Sequence, residues 1–340
     1  MLKVGLVGLG SMGNAHLQCY QRLESDGIAK VVAICDIDEK KLKGMQVEGN
    51  IAVGDGEIDF SKFNFYQYFD EMVEKEELDY VDLCLPTFLH AQYSIKGMSL
   101  GLDVFCEKPM ALSSEECAEM IAASKKYDKQ LMIGQTLRFF PSYCYLKELV
   151  DTKKYGEVTG AYFFRGGGTP RWSWENWLLR KEKSGGCILD QHIHDVDTIN
   201  WIFGKPKAVT SNGNTVFPES KYDIVSTRYL YEDGKVICAE DDWSINGDFG
   251  FEMRFRVNFE NGTLIYENDQ VTEYPHDGEK FVPDFSSESG YYIELRYFAE
   301  QLAKKESVNG VISLESAAET VYIAEKEIQS CDLNGEVVAL

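Results

Sequence analysis

The sequence predicts two domains, an α/β domain on a doubly wound parallel sheet and an α+β domain with an open-faced, mainly antiparallel sheet. The chain has 340 residues, more than one ordinary hydrophobic core accommodates. Its first third alternates short apolar runs with amphipathic stretches, and its second half carries long period-2 patterns. We place the domains at 1–128 and 129–340, with the terminal helices at 290–330 as candidates for packing on the first domain.

The first domain is predicted from strands that are apolar on both faces and that alternate with helices. Such alternation is typical of a parallel sheet covered on both sides. The strands are predicted at 2–7, 30–35, 80–85, 103–106 and 130–133, and the helices near 13–25, 38–44, 68–77, 90–101 and 113–127. Residues 45–66 are longer than a usual connector and rich in glycine and aromatic residues, so we interpret them as an inserted loop.

The second domain is predicted from residues 249–259, where every odd position is apolar and polar residues fill most even ones. This strand enters a hairpin turn at Asn261-Gly262 and a second strand at 263–266. The sequence predicts another hairpin from 225–231 and 235–239, with helices near 185–203, 290–304 and 314–329.

The composition is strongly acidic, with a formal net charge of −22 and a pI near 4.7. Such a surface repels phosphate backbones and anionic lipids, so we expect neither nucleic-acid nor membrane partners. No apolar run approaches the roughly 20 residues of a membrane span, and the first residues run directly into a strand. The nine cysteines are scattered without metal-ligand spacing. We interpret them as reduced and buried in a cytoplasmic protein, with no metal site.

A dinucleotide-binding motif follows the first predicted strand. In Gly8-Leu-Gly10-Ser-Met-Gly13 the first glycine permits a tight turn, the second lets a pyrophosphate approach the backbone, and the third lets helix and strand pack closely. The helix that begins there offers unpaired N–H groups to phosphates. Asp36 ends the second strand, where a ribose hydroxyl needs an acceptor. Because no adjacent arginine would compensate a 2′-phosphate, the motif predicts NAD rather than NADP.

Two further segments carry groups suited to proton transfer. Lys108, in Glu107-Lys108-Pro109, lies at the carboxyl end of a predicted parallel strand, although a lone lysine there is ordinarily a surface residue. Asp190, His194 and Asp197 have the i, i+4 and i+7 spacing that brings them to one helix face. A carboxylate beside an imidazole suits a general base, and a solvated acidic face with a hydrogen-bonded histidine explains the pattern equally well.

Together these motifs resemble the glucose–fructose oxidoreductase, inositol dehydrogenase and rhizopine-catabolism (Gfo/Idh/MocA) family of NAD(P)-dependent sugar dehydrogenases. The resemblance also rests on Pro86-Thr-Phe-Leu-His90 and the Tyr-Tyr-Ile-Glu-Leu-Arg-Tyr-Phe stretch at 291–298. It implies a Rossmann domain, with Lys108, Asp190 and His194 as catalytic residues. The sequence departs from the family at Cys187, where a third glycine is usual, and at the 45–66 segment.

The resemblance extends the set of predicted contacts. With the glycine motif, it predicts cofactor contacts from Gly8, Gly10, Ser11, Met12, Gly13, Asp36, Ile37, Pro86, Thr87, His90, Glu107 and Lys108. The substrate contacts we predict are Lys108, Arg138, Arg165, Trp177, Gln191, His194 and Asp197. By analogy with the family, the second sheet is expected to form a homodimer or homotetramer.

The function that these residues predict is reversible oxidation of a secondary hydroxyl on a sugar, glycoside or inositol. His194 takes the hydroxyl proton, Asp190 orients the imidazole, and Lys108 hydrogen-bonds the oxygen. Two alternatives remain open. One is a glycosidase that uses NAD without net consumption, or an enzyme that oxidises a glycoside ahead of cleavage. The other is a non-catalytic NAD-sensing regulator of the same fold, which would have no need of the proton-transfer residues.

Overall fold

The computed structural model describes residues 1–42 and 58–340 and divides the chain into two compact units. Unit 1 comprises Met1–Phe139, Trp172–Glu175 and Glu288–Ala318. Unit 2 comprises Phe140–Arg171, Asn176–Ser287 and Glu319–Leu340. The domain limits at 128 and 129 stay a prediction. Within the described residues, no helix is both long and apolar enough to cross a membrane.

Unit 1 is built on a parallel sheet with the strand order β3-β2-β1-β4-β5-β6 among the described residues. Its elements are β1 (Leu2–Val7), α1 (Ser11–Ser25), β2 (Ala29–Cys35), α2 (Glu39–Leu42), β3 (Asn64–Tyr66), α3 (Phe69–Lys75), β4 (Tyr80–Leu83), α4 (His90–Ser99), β5 (Asp103–Glu107), α5 (Ser114–Tyr127) and β6 (Leu131–Gly134). The strand order reverses between β1 and β4, and doubly wound sheets bind ligands at such a point. The predicted fold class of this part is confirmed.

The interpretation of 45–66 as one inserted loop is wrong at its end. Asn64–Tyr66 is a strand that pairs in parallel with β2, with Asn64 opposite Ala33. Its three residues are too few to show a periodic pattern, and the edge of β2 supplies the hydrogen bonds that make them a strand. Residues 45–57 of the predicted loop, and positions 43 and 44 of the predicted helix, lie outside the described residues.

Unit 2 is built on a mainly antiparallel sheet, and this prediction is also confirmed. Its strand order is β13-β12-β11-β7-β10-β9-β8-β14 within the described residues, and only β7 and β10 pair in parallel there. Elements 141–275 are α6 (Pro141–Thr152), β7 (Val158–Gly168), α7 (Lys181–Ser184), α8 (Ile193–Phe203), β8 (Ala208–Asn214), β9 (Ile224–Leu230), β10 (Val236–Ile245), β11 (Phe251–Phe259), β12 (Gly262–Glu267) and β13 (Gln270–Pro275).

The final elements are α9 (Gly290–Lys304), α10 (Leu314–Asp332) and β14 (Val338–Ala339). Helix α9 belongs to unit 1, where the ring of Phe298 lies 5.1 Å from that of Tyr80 and 5.6 Å from that of Phe105. All three aromatic side chains are fully buried. Edge-to-face packing of these rings therefore anchors α9 in the core of unit 1.

The prediction of one regular helix near 185–203 is wrong over its first half. Gly185 and Gly186 have φ values of +78° and +77°, a conformation that ends α7. A side chain at Gly186 would also meet the Ser220 carbonyl oxygen at 2.5 Å. Ile188–His192 then form a π-helical turn, and α8 begins only at Ile193. Such π-helical turns within helices are frequent at functional sites.

The cysteines form no disulfide, and all nine lie in the described part of the chain. Six are buried, as predicted, whereas Cys84 and Cys238 are partly exposed. The interpretation of all nine as buried is wrong for Cys144, which is exposed on α6.

Candidate functional site

The glycine-rich turn of unit 1 has the geometry that its motif predicts. Gly8 has a φ of +94°, and a side chain there would meet the Cys84 carbonyl oxygen at 2.3 Å. A side chain at Gly13 would come within 2.0 Å of the Gly8 oxygen, so α1 packs directly on the turn. By contrast, no atom of the described residues lies within 4 Å of the corresponding position at Gly10. This open space at the start of α1 fits the pyrophosphate of a dinucleotide.

The residues beside this space are accessible to a ligand. Gly10, Ser11 and Met12 are partly exposed, and α1 begins after Gly10, which has no side chain to cap its first turn. Ile37 is exposed after the end of β2. The placement of these residues agrees with their predicted role as cofactor contacts, which stays a prediction.

Asp36 is a buried acceptor that three donors hold. The Leu9 backbone N–H donates to Oδ2 at 2.8 Å, and the Asp38 N–H donates to Oδ1 at 2.8 Å. The Lys41 ammonium also donates to Oδ2, at 3.0 Å. The sequence has no arginine adjacent to Asp36 that would compensate a 2′-phosphate, and the structure brings a lysine from five residues later. A lysine on the short helix that follows the acid is the signal that could have indicated this pair.

His90 connects the loop after β4, which carries the Pro86–His90 motif, with the loop after β5, which carries the Glu107–Pro109 motif. Its Nδ1 lies 2.7 Å from the Pro109 carbonyl oxygen, and its Nε2 lies 2.8 Å from the Leu85 oxygen. Burial lowers the pKa of His90, although both carbonyl oxygens act in the opposite direction. Both ring nitrogens therefore face backbone acceptors, so the ring fixes the Pro86 loop relative to Pro109. Thr87, which follows Pro86 in this loop, is buried.

Lys108 directly follows β5 and is partly exposed. Its backbone N–H donates to Glu107 Oε2 at 3.1 Å, and the peptide bond to Pro109 is cis. Because β1, β4 and β5 are parallel neighbours, the glycine turn, the Pro86 loop and Lys108 lie at the same edge of the sheet. Unit 1 thus brings together the predicted nucleotide contacts and the predicted catalytic lysine.

A buried group of ionisable side chains lies beneath that edge. In this His16 cluster (His16, Asp82, Glu107 and Glu294), His16 Nδ1 is 2.8 Å from Asp82 Oδ2 and Nε2 is 3.0 Å from Glu107 Oε1. Burial by itself lowers the pKa of His16, but Asp82 and Cys84 raise it well above its usual value. Burial and the charge of Glu107 raise the pKa of Glu294 well above its usual range.

The sequence reasoning missed this cluster, although His16 stands three residues after the third glycine. Potential ligand atoms of His16, Asp82 and Cys84, and of His16, Glu107 and Glu294, lie within 4.8 Å of one another. The sequence predicts no metal site. The contact of His16 with Asp82 is a hydrogen bond, which accounts for the first of these groups without an ion.

Unit 2 places Asp190, Gln191 and His194 around the junction between the π-helical turn and α8, where all three are partly exposed. Gln191 Nε2 donates to the Arg165 carbonyl oxygen at 3.4 Å. Arg165 is buried, and its Nη2 lies 3.0 Å from Asp195 Oδ1. The structure therefore brings predicted catalytic and substrate residues together on one turn of this unit.

The predicted common face of residues 190, 194 and 197 assumed a continuous α-helix, which the π-helical turn interrupts. Asp197 is buried, unlike Asp190 and His194, and its Oδ1 accepts a hydrogen bond from Thr320 of α10 at 3.0 Å. Helix α10 covers this part of α8, which explains the different exposure.

His192 lies at the end of the π-helical turn, at the centre of a second buried group. In this His192 cluster (His192, Asp241 and Glu327), Nδ1 is 2.5 Å from Asp241 Oδ2 and Nε2 is 3.1 Å from Glu327 Oε2. Burial lowers the pKa of His192, but the two carboxylates raise it well above its usual value. The imidazole therefore ties the turn to β10 and α10.

The remaining predicted substrate contacts are spread over both units. Arg138, in unit 1, is buried and donates to the Val311 oxygen at 3.3 Å and to Ser316 Oγ at 2.7 Å. Trp177, in unit 2, is partly exposed. Lys108 belongs to unit 1, whereas Asp190 and His194 belong to unit 2. The substrate and catalytic roles of all these residues stay predictions.

Family comparison agrees with this arrangement. Residues 2–135 match the Gfo/Idh/MocA model described as an oxidoreductase family with an NAD-binding Rossmann fold. Residues 143–265 match the C-terminal domain of the same family. The chain belongs to the Gfo/Idh/MocA family. The resemblance seen in the sequence is confirmed, and so is the NAD-binding Rossmann fold of its N-terminal part.

Proteins of similar sequence have names that refer to several reactions. The chain is 31% identical over 223 residues to an uncharacterized oxidoreductase of Streptococcus pneumoniae, covering 65% of this chain and 56% of that protein. It is 30% identical over 223 residues to the 2,7-anhydro-N-acetylneuraminate hydratase of Escherichia coli, covering 64% and 54%. It is 24% identical over 268 residues to inositol 2-dehydrogenase 2 of Saccharopolyspora erythraea, covering 77% and 72%. The first two alignments span little more than half of each relative.

Solved structures share the fold of this Gfo/Idh/MocA chain. A levoglucosan dehydrogenase in complex with NADH and levoglucosan superimposes with a TM-score of 0.83, 18% identity and coverage of 99% of both chains. An Agrobacterium radiobacter oxidoreductase with NAD⁺, L-tartaric acid and magnesium gives 0.82 at 19% identity, covering 99% of this chain and 98% of that one. At such identities the similarity establishes the fold.

Proposed function

We propose that this protein is an NAD-dependent oxidoreductase that oxidises a secondary hydroxyl of a polyhydroxylated ring, such as a sugar, glycoside or inositol. One observation of the structure carries the proposal. The open space at Gly10, the Asp36 acceptor and Lys108 lie along the carboxyl edge of one parallel sheet, on either side of the point where its strand order reverses. Ligands bind at this position in doubly wound sheets.

The cofactor assignment is supported by the fit between these residues and a dinucleotide. The turn at Gly8–Gly13 leaves room for the pyrophosphate, and Asp36 lies where a ribose hydroxyl would donate. NAD supplies the hydride acceptor, and the protein supplies binding, orientation and charge.

In this proposal three side chains handle the hydroxyl proton. His194 accepts the proton as the general base, and Asp190 orients the imidazole and stabilises its charged form. Lys108 donates a hydrogen bond to the substrate oxygen as that oxygen becomes a carbonyl. The partial exposure of all three side chains supports these roles, because each remains accessible to a ligand.

The proposal is tested with purified protein and NAD⁺ by following NADH absorbance with a panel of substrates. The panel contains inositols, aldoses, glycosides, levoglucosan and 2,7-anhydro-N-acetylneuraminate. The expected result is NADH formation with one class of cyclic polyol and none without substrate. Binding of NAD⁺ without turnover of any substrate in either direction would favour the non-catalytic regulator instead.

A second candidate is supported by the hydratase relatives, which share 30–32% identity with this chain. Adding water to an anhydro sugar leaves its oxidation state unchanged. An enzyme of this kind would use bound NAD transiently, as in the glycosidase alternative. Conversion of 2,7-anhydro-N-acetylneuraminate without NADH accumulation, and its dependence on NAD⁺, would select this candidate over a dehydrogenase.

We also propose that the exposed face of the second sheet is a contact between copies of this chain. On that face the Arg254 guanidinium lies 4.6 Å from the centre of the Phe164 ring, and that of Arg256 lies 4.5 Å from the Tyr162 ring. Arginine and aromatic side chains are both enriched at protein–protein interfaces. Light scattering should give the mass of a dimer or tetramer, and Arg256→Glu should reduce that mass.

A further inference from the structure

The directions of two proposed catalytic side chains depend on the winding of the π-helical turn Ile188–His192. Asp190 lies inside this turn, whereas His194 follows it on α8. A π-helical turn holds an extra residue compared with an α-helix, so a change to regular winding would rotate Asp190 relative to His194. Because π-helical winding is rare, we expect contacts with other elements to maintain it here.

Three elements of unit 2 contact the turn. His192 Nδ1 lies 2.5 Å from Asp241 Oδ2 on β10, and its Nε2 lies 3.1 Å from Glu327 Oε2 on α10. Strand β7 contributes the Arg165 carbonyl oxygen, which accepts a hydrogen bond from Gln191 Nε2 at 3.4 Å. Asp241 and Arg165 are register partners on β10 and β7, so the two strand contacts are adjacent. His192 therefore makes two of these three contacts.

The two contacts of His192 are buried and charge-assisted. His192, Asp241 and Glu327 are each 0% exposed, so water cannot replace either partner. Both ring nitrogens face carboxylate oxygens, and only the doubly protonated imidazolium donates from both. Burial lowers the pKa of His192, but the two carboxylates raise it well above its usual value, which agrees with this form. Hydrogen bonds between charged groups are shorter and stronger than neutral ones.

We propose that His192 is a positioning residue for the proton transfer of the proposed function. By pairing with Asp241 and Glu327 at the same time, it maintains the π-helical turn and thereby the direction of Asp190 relative to His194. The inference rests on the proposed function, in which Asp190 orients the imidazole of His194. His192 itself takes no proton from the substrate, because its ring is buried between its partners.

Two substitutions each remove one contact of His192 and keep the other. Glutamine places its amide nitrogen near the position of Nε2, so His192→Gln keeps a donor for Glu327 and loses the contact with Asp241. Asparagine places its amide near Nδ1, so His192→Asn keeps a donor for Asp241 and loses Glu327. Each variant should lower kcat by about 10- to 100-fold, the range for a misplaced catalytic group. NAD⁺ affinity should stay within about threefold of wild type, because the predicted cofactor contacts belong to unit 1.

Amide hydrogen exchange of residues 188–194 reports on the turn without any substrate. Exchange there should be at least about tenfold faster in His192→Gln and His192→Asn than in Leu264→Ala. Leu264 is fully buried on β12, and truncation of a buried leucine also lowers the free energy of unfolding substantially. This variant is the control for lower stability, and its kcat should stay within about twofold of wild type.

Two results would overturn the inference alone. One is exchange of residues 188–194 that is no faster in the His192 variants than in Leu264→Ala. The other is faster exchange with a wild-type kcat. If the wild-type protein binds NAD⁺ but converts no substrate of the panel, the proposed function fails together with the inference.

Discussion

Both units bury a histidine between an aspartate and a glutamate, next to a segment with proposed catalytic residues. His16 Nδ1 faces Asp82 and its Nε2 faces Glu107, the residue before Lys108. His192 Nδ1 faces Asp241 and its Nε2 faces Glu327. The two clusters differ in how they contact these segments. In unit 1 a carboxylate of the cluster, Glu107, directly precedes Lys108 in the sequence. In unit 2 the imidazole belongs to His192, which stands in the sequence between Asp190 and His194.

The clusters also differ in how their charge is balanced. The His16 cluster has one imidazole for three carboxyl groups, and burial together with the charge of Glu107 raises the pKa of Glu294, which favours its protonated form. In unit 2, Arg165 adds a second cation near Asp241 and Asp195. Burial nevertheless raises the pKa of Asp241 to about 7. The excess of carboxyl groups is thus offset by the raised pKa of Glu294 in unit 1, whereas unit 2 also has the Arg165 guanidinium.

The largest expected effect is on turnover, and it follows from substitution of the partly exposed residues rather than of the buried clusters beside them. Lys108→Ala and His194→Ala should each lower turnover by about 10²–10⁴ because a proton-transfer group is lost. NAD⁺ binding, measured by calorimetry, should stay within about threefold of wild type in His194→Ala, because His194 is not among the predicted cofactor contacts. His276→Ala, at an exposed histidine, is the control. Wild-type turnover in both variants would show that the proposed roles are wrong.

The second effect compares the two buried imidazoles. His16→Gln and His192→Gln should each lower the free energy of unfolding by about 3–5 kcal/mol, because each leaves buried carboxylates without their cation. The loss should be larger for His16, whose cluster has no guanidinium. Urea unfolding of both variants, with His276→Gln as control, measures this difference. A larger loss for His192→Gln would contradict the proposed charge balance.

Local sequence patterns were sufficient for the main architecture of both units. Gly8 and Gly13 have the roles that their spacing predicts, because turn geometry depends on neighbouring residues. The role of Gly10 at a pyrophosphate stays a prediction. The strand Phe251–Phe259 was predicted from alternation alone, although its start shifts because Gly250 has a φ of +77°. The parallel sheet was predicted from the same kind of local signal.

The features that the sequence did not predict depend on distant partners. Asp82 lies 66 residues from His16, and Asp241 lies 49 residues from His192. No periodic pattern links such positions, so both clusters were missed. Strand β3 was missed because three residues show no period, and the π-helical turn because regular helical spacing was assumed. Strand β7 and helix α6 were also missed.

The third expected effect concerns Glu294, the third carboxyl group of the His16 cluster in unit 1. The pKa of Glu294 is raised in the folded state, so its contribution to stability is complete below the unfolded value of about 4.5 and is lost as pH rises. Glu294→Gln removes this titration. The variant should therefore gain in free energy of unfolding relative to wild type as pH rises from 5 to 8.

Urea unfolding of both proteins at several pH values measures this difference. Asp82→Asn is a useful comparison, because it removes the carboxylate hydrogen-bonded to His16 and should destabilise the protein. A constant difference between Glu294→Gln and wild type across this pH range would show that Glu294 does not retain its proton.

The smallest effect involves His90, a buried histidine between two carbonyl oxygens rather than two carboxylates. Its pKa is lowered, so its contribution is complete above the unfolded value of about 6.5 and is lost as pH falls through the folded value. This sign is opposite to that of His16 and His192. His90→Gln should cost about 1–2 kcal/mol at pH 8, and less at pH 5, in urea unfolding. A cost that increases on acidification would contradict this assignment.

In the proposed function, Lys108 and His194 take part in the same proton transfer. Single-turnover NADH formation in Lys108→Ala, His194→Ala and the double variant tests it most directly, with the substrate that the panel identifies. Residues that act as a unit give strongly non-additive losses. The double variant should therefore be scarcely slower than the slower single variant. Losses that multiply, so that the double variant is slower by the product of the two single effects, would contradict the claim.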